Sequence, residues 1–497
     1  MKLKAIYILL PLVLLTLGCK KFLNVTPINE AYEESVFKER SGFISSLASV
    51  YSDFSASSLY GKEMKFGFLE TLTGSYIAPE LGHRYYGSYN YHYEDTQVKT
   101  ILSNVWGQYY ISINQLNIIL KNIARISTDP YQPLIKGESL GLRAFAHFEL
   151  LKYFGPVISQ DGVDALAIPY RDTLSYNAVK PLKVKDVIAH INSDLKEARA
   201  LLENDPIRKG DRADNNGLGT ILERYNSLLD RRGIRMNYYG IVALQSMVAQ
   251  WMGDQELAGK YAKEVIDELA QTKSIRLAGN TDLNNSARNP DLRFAVENIF
   301  GLHVSSLRSA VLFNFPEVSD NRGNTDPLLF PNYTWLYSSL YNNPFHGTTN
   351  DFRLANWFST DNTRWKLVKF HYNLEVDQSN QYAGIKEVKL ISLYNLYLLA
   401  AESQVEKNPQ AALSYVNAIR RARGIDRAIV YDSNMSSKTL YDLIFDEFRK
   451  ENIAEGTLFA EYKRKFKDID RYNKNVPASK EIFCLPIPND ELIYNPF

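Results

Sequence analysis

Cysteine is almost missing from this 497-residue chain: Cys19 and Cys484 are the only two. Beyond residue 19 no second thiol exists with which Cys484 could close an intrachain bridge, so the body has to be held by packing. Cys484 lies between Phe483 and Leu485 and reads as a small buried apolar residue. A surplus of one charge is missing too. Lys plus Arg number 57 against 56 Asp plus Glu, which leaves no electrostatic case for nucleic acid or an anionic membrane face. The 7 histidines are scattered and form no H-E-x-x-H, and the chain lacks a G-x-S-x-G elbow and a phosphate loop. Metal-ligand spacing is likewise absent, so no cofactor is expected, although a loop-bound Ca²⁺ on carbonyl and carboxylate oxygens leaves little trace. After residue 18 no apolar run reaches the length of a transmembrane helix.

What is present begins at the first residues. Lys2 and Lys4 precede an apolar run from Ala5 to Leu17, interrupted only by Pro11 and Thr16 and too short for a permanent membrane span. Leu15-Thr16-Leu17-Gly18-Cys19 resembles a bacterial lipobox, with Thr16 where an aliphatic residue is commoner. Residues 1–18 are therefore expected to be a removable lipoprotein signal peptide and Cys19 the lipid-bearing first residue of a 479-residue mature chain (497 minus 18). Two or three acyl chains make such a tether firm, because each buried CH₂ contributes roughly 0.8 kcal/mol. Aromatic residues are abundant, with 33 Tyr, 24 Phe and 5 Trp. Rings at this level serve both helix–helix contacts and surfaces that bind by stacking.

Apolar residues recur at three and four over residues 100–126, 135–154, 184–202, 235–251, 256–269, 388–405, 409–423 and 440–454. Strand-like alternation is weak, and short candidates such as Ile299–Val304 assemble into no obvious sheet. The fold class is mainly α. Small residues at helix crossings (Ala258 and Ala262, Ala400 and Ala401, Ala411 and Ala412) echo TPR-like antiparallel helix pairs. The expected organisation is one domain over 19–497, with helix pairs at roughly 100–270 and 388–455. Long irregular insertions at roughly 55–98 and 275–387 would form the binding face. The stretch 205–234, with Arg208, Lys209, Asp211, Arg212 and Asp214, reads as a solvated excursion.

Several blocks, in order, resemble the SusD/RagB family. Trp106, Tyr109, Tyr110 and Ile113-Asn114 are similar to its W-x-x-Y-Y-x-x-I-x-x-x-N region, with the Asn displaced. Gly137-Glu138, Leu142-Arg143-Ala144 and Phe154-Gly155-Pro156 resemble G-E-x-x-x-L-R-A…F-G. Ala401-Glu402, Ala412, Asn417, Arg420 and Ala422 resemble A-E…A…N-x-x-R-x-R-A. Lys450-Glu451-Asn452-Ile453-Ala454-Glu455-Gly456 resembles R-E-L-A-F-E-G, with Leu458 and Glu461 departing from the usual Arg and Asp after it. Leu485-Pro486-Ile487-Pro488, Glu491-Leu492 and Asn495-Pro496 resemble the C-terminal L-P-I-P-x-x-E-L-x-x-N-P. The resemblance implies a non-catalytic cell-surface lipoprotein on the extracellular face of the outer membrane of Bacteroidota-type bacteria. It implies a SusC-like TonB-dependent transporter as partner, and a glycan as ligand, with peptide as the RagB-branch alternative. Lys20 and Lys21 stand where surface-exported relatives often carry acidic residues, so the outward orientation rests on the family blocks.

Glycan recognition sets flat rings against sugar C–H faces and uses Asn, Asp and Arg for the hydroxyls. The densest such composition runs from Tyr76 through Arg84, Tyr85, Tyr86, Tyr89 and Asn90 to Tyr93, where Tyr85, Tyr89, Tyr91 and Tyr93 also fit one face of a strand. A second cluster holds Asn332, Tyr333, Trp335, Tyr337 and Tyr341, with Trp357 further on. Tyr85, Tyr86 and Trp335 are expected as stacking platforms, and Arg84 and Asn90 as hydroxyl readers. A competing expectation packs half of these rings inward to hold the loops. The hydrolase alternative needs two spaced carboxylates. Glu447 and Glu451 lie one helical turn apart, but fit a solvated or salt-bridged helix face better.

Overall fold

The computed structural model describes residues 33–174, 177–210, 232–284, 291–315, 329–342, 350–360, 365–371, 386–472 and 474–495. Cys19 and its signal segment lie outside the described residues. Among the described residues ten helices of eight residues or more build the scaffold: α1 (Arg40–Phe54), α2 (Thr96–Asn122), α3 (Gln132–Phe154), α4 (Val184–Leu201), α5 (Tyr238–Trp251), α6 (Gln255–Thr272), α7 (Leu393–Gln404), α8 (Pro409–Ala422), α9 (Ser437–Glu451) and α10 (Leu458–Lys465). An eleventh stretch, Leu307–Asn314, lies in the loop-rich half. Helix α3 runs through the centre, and every residue from Gly137 to Phe154 is buried. Its Gly137 lets α4 approach closely, since a Cβ there would stand 2.8 Å from Leu202 Cγ.

The TPR-like pairing is direct. Helices α5 and α6 pack together across the three-residue connection Met252–Asp254, which forces them antiparallel. Helix α6 packs on α7, α7 on α8, and α9 closes over both. Gly259 marks the α6–α7 crossing, where a Cβ would come to 2.5 Å of Ser403 Cβ. Asp254 and Asn408 cap α6 and α8 by accepting from Leu257 N (2.9 Å) and Ala411 N (3.1 Å).

Three expectations change. The helix predicted from 388 begins only at Leu393, because Glu387–Ser392 forms a strand paired antiparallel with Asn298–His303. The strand candidate at 299–304 thus has a partner, and every sheet among the described residues is two-stranded. The stretch 205–234 is anchored rather than solvated at its described ends, 205–210 and 232–234, while Asp211, Arg212 and Asp214 lie outside the described residues. Asp205 and Arg232 form a fully buried ion pair, and the Arg208 guanidinium lies 4.1 Å from the Tyr238 ring centroid. Finally, the family motif's asparagine is Asn117, four residues after Ile113, and not Asn114. Asn117 Oδ1 accepts from Arg143 Nη1 (2.8 Å), and its Nδ2 donates to Arg171 O (3.1 Å).

The family blocks act here as buried cross-ties between distant segments. Glu138 receives Arg232 and Arg235, both at 2.8 Å, and Arg143 forks onto Asp194 at 2.7 and 2.8 Å. Glu402 takes Arg464 at 2.8 Å, and Glu455 takes Lys369 at 2.5 Å and also Lys65. Glu447 and Glu451 are fully buried and paired with Arg353 at 2.6 and 2.8 Å. Their helix face is salt-bridged and dry. Gly456 of the same block adopts φ +72°, and a Cβ there would press into the carbonyls of Met64 and Lys65. Gly456→Ala is expected to destabilise the protein by more than about 1 kcal/mol, read as a lower urea midpoint at unchanged m.

Candidate ligand-binding face

The two aromatic clusters seen in the sequence meet in space. Asn332 N donates to Ser75 O (3.0 Å) and Ile77 N to Phe330 O (2.9 Å), with Tyr76 and Pro331 bridged between them. Asn332 then caps the turn Tyr333–Leu336 by accepting from Trp335 N (3.3 Å). This turn presents Tyr333. Its ring stacks on Trp365 at 3.5 Å between centroids and 13° between planes, and lies 6.2 Å and 17° from Tyr337. Trp365 opens the strand Trp365–Leu367, which pairs with Phe358–Thr360, and Phe358 meets Tyr333 edge-on at 5.5 Å. Tyr333, Tyr337 and Trp365 are all half-buried, so they form a supported row of rings that still reaches solvent.

On the other loop a single helical turn, Tyr86–Tyr89, leaves Tyr86, Tyr89 and Asn90 half-buried. Asn90 Nδ2 donates to Tyr86 O (2.9 Å). The strand reading of 85–93 does not hold. Tyr91 takes the left-handed φ of +58°, and Tyr93 is buried with its hydroxyl on Ile482 O. Arg471 clamps this turn: its guanidinium lies 4.1 Å from the Tyr89 ring centroid and 4.6 Å from that of Tyr91, and its Nη2 donates to Tyr89 O (2.6 Å). Arg84 is partly exposed and pairs with Glu63 at 2.8 Å.

Three of the expected site residues face inward. Tyr85 is fully buried with its hydroxyl on Glu63 (3.0 Å), and Tyr76 is buried with its hydroxyl on Glu70 (3.1 Å). Trp335 is buried beneath the Arg449 guanidinium, 5.2 Å from the ring centroid. A ring enclosed by the fold offers no face to a ligand, so Tyr85 and Trp335 are not platforms in this arrangement. Trp357 is buried as well and donates to Leu292 O. Trp365, stacked on Tyr333 and half-buried, is the tryptophan of these loops that still reaches solvent. Its sequence signal was a tryptophan in a polar stretch, Asp361-Asn362-Thr363-Arg364-Trp365.

The electrostatics beneath the loop are sharp. Burial drives the Glu70 carboxyl up to about 7, although Gly456 N, Ala454 N and the Tyr76 hydroxyl favour its charged form. Burial acts in the same sense on Glu455, but Lys369 and Lys65 outweigh it and hold that carboxyl at about 2. From the ordinary value of 4.5 up to about 7, folded Glu70 keeps a proton that the unfolded chain has released. Its contribution therefore falls as pH rises through that window and is constant above it. The Glu455 contribution is complete above 4.5 and is lost as pH falls towards about 2. Glu70→Gln should gain stability relative to wild type between about pH 5 and about pH 7.5, measured by urea midpoints. A constant difference would contradict the assignment.

The cavity between α5, α7, α9 and α10, about 70 Å³ and walled by Phe148, Trp251, Phe445 and Arg464 among others, shares no lining residue with these loops. Among the described residues no group of three His, Cys, Asp or Glu could hold a metal ion, and no helix is long and apolar enough to cross a membrane.

Fold and face together define a protein of TPR-like helix pairs that carries a loop-built aromatic surface. Residues 21–211 match a family model described as starch-binding associating with outer membrane, and residues 315–495 match the SusD family model. The chain belongs to the SusD/RagB family. Among solved structures, a SusD superfamily protein from Bacteroides thetaiotaomicron VPI-5482 is 20% identical, with a TM-score of 0.68 over 91% of this chain and 97% of its own. A SusD-like carbohydrate binding protein from Bacteroides vulgatus ATCC 8482 is 18% identical, with a TM-score of 0.67 over 92% of this chain and 96% of its own. At these identities the likeness is one of fold. No curated protein matches the chain.

Proposed function

We propose that this protein is a non-catalytic glycan-binding lipoprotein, anchored through Cys19 on the extracellular face of the outer membrane. It captures oligosaccharide or polysaccharide and delivers it to a SusC-like TonB-dependent channel. The observation that carries the binding reading is the supported row of half-exposed rings, Trp365–Tyr333–Tyr337, hydrogen-bonded through residues 330–332 to the loop that bears Tyr86, Tyr89 and Asn90. Stacked rings present flat, rigid apolar area at little entropic cost, which suits the C–H faces of sugars. Family membership supports the outer-membrane location, and the channel partner is what the sequence resemblance implies. Against hydrolysis by the pair that sequence singled out, Glu447 and Glu451 are sealed in ion pairs with Arg353.

Calorimetry and affinity electrophoresis against a glycan panel test this reading. Millimolar or tighter binding of a glycan without product release is the expected result. Binding of a peptide library with no glycan bound would replace it with RagB-like peptide capture. Sustained release of sugars from a labelled polysaccharide would make the protein a surface glycoside hydrolase instead. Cys19→Ala should abolish incorporation of labelled palmitate in growing cells and release the protein from the membrane fraction. Retention of label would place the lipid elsewhere.

A further inference from the structure

We propose that the hairpin of residues 469–476 is a third wall of the ligand face, with Tyr472 as its contact ring. The proposal rests on the glycan-binding reading above. The hairpin pairs Ile469 with Val476, Asp470 with Asn475 and Arg471 with Lys474. Alternation along its first strand turns Ile469 and Arg471 inward, where both are buried. Arg471 is the residue that lies against the Tyr89 and Tyr91 rings. Close packing is secured on the other side by Gly74 at φ +78°, where a Cβ would stand 2.6 Å from Arg471 Cγ and 2.8 Å from Asp470 O. The hairpin is therefore seated directly on the start of the 74–91 loop, one residue before the bridge to 330–332.

Tyr472 follows Arg471 at the head of this hairpin and is 55% exposed. Among the residues whose exposure is described it is the only Tyr, Phe or Trp left exposed. Solvating a large ring is unfavourable, and this one stands beside the clamp that fixes Tyr89. The ladder ends at the Arg471–Lys474 pair immediately before it, where the inward Arg471 fixes the end of the strand, and a tyrosine has only two side-chain torsions to fix on binding. On the 74–91 loop against which the hairpin is seated, Ile77 and Leu81 are 49% and 84% exposed. The ligand chemistry that fits is an oligosaccharide, whose successive C–H faces meet Trp365–Tyr333 on one side and Tyr472 on the other.

The test uses the full mature chain and a panel of maltoheptaose, xylohexaose and laminarihexaose, comparing variants on whichever member binds wild type. Tyr472→Ala is expected to weaken binding roughly 3- to 10-fold at unchanged melting temperature, and Tyr472→Phe to stay within about 2-fold of wild type. Wild-type affinity in Tyr472→Ala, while Tyr333→Ala loses binding, overturns the hairpin's role and leaves the glycan reading standing. Failure of wild type to bind any panel member, with a peptide bound instead, overturns both.

Discussion

Tyr333→Ala is expected to weaken glycan binding by roughly 30-fold, about 2 kcal/mol, the size seen when a central interfacial aromatic is truncated. The ring is the middle of the row: Trp365 lies 3.5 Å from it and Tyr337 6.2 Å, both nearly parallel. Truncation removes one stacking surface and also the support that orients the other two. Tyr333→Phe keeps the row and should retain most of the affinity. Calorimetry gives the dissociation constants, and circular dichroism checks that the variant melts near wild type, as a half-buried loop residue should allow. Wild-type affinity in Tyr333→Ala would move the ligand face away from this turn.

The largest stability effect is expected at Arg423. Its guanidinium is fully buried, donates to Glu297 (2.7 and 3.1 Å), Glu451 (2.6 and 3.0 Å) and Ala278 O (2.8 Å), and lies 4.1 Å from the Phe294 ring centroid. Arg423→Met preserves much of the volume but leaves two buried carboxylates short of a cation. Breaking a buried pair from one side costs about 3–5 kcal/mol. Arg353 still serves Glu451 at 2.8 Å, which keeps the loss within that range. The exposed neighbour Arg421 is the control: Arg421→Met should stay within about 0.5 kcal/mol of wild type. Equal urea midpoints for the two variants would remove the structural role assigned to Arg423.

Helices were legible in the sequence wherever one face repeated at three and four, as in α2 to α6. Helix α1 carries the same signal in Phe43, Leu47, Val50 and Phe54, although the expected helices begin only at residue 100. The strand 387–392 reads as helix in the sequence because Val388, Leu390 and Ile391 run on into the apolar face of α7; its partner strand lies far upstream, beyond local periodicity. Composition located both binding loops, but which rings turn outward depends on partners elsewhere in the chain. Tyr85 and Tyr86 are adjacent and alike, yet the first is packed into the core with its hydroxyl on Glu63, 22 residues upstream. Arg471 acts on Tyr89 across 382 residues, a relation no spacing rule anticipates. The charged family blocks could be matched as motifs, whereas their work as dry cross-ties emerged only with their partners, such as Arg232 for Glu138 and Arg464 for Glu402.

The bridge between Tyr76 and Pro331 has a mechanical consequence. Two segments that leave the scaffold at distant points share one short ladder, so neither can swing without straining the other. A sugar that engages only the Tyr333 side should therefore slow amide exchange at Ile77 as well as at Asn332, since both N–H groups belong to that ladder. Capture would then stiffen the whole rim at once, and release would loosen it in a single step.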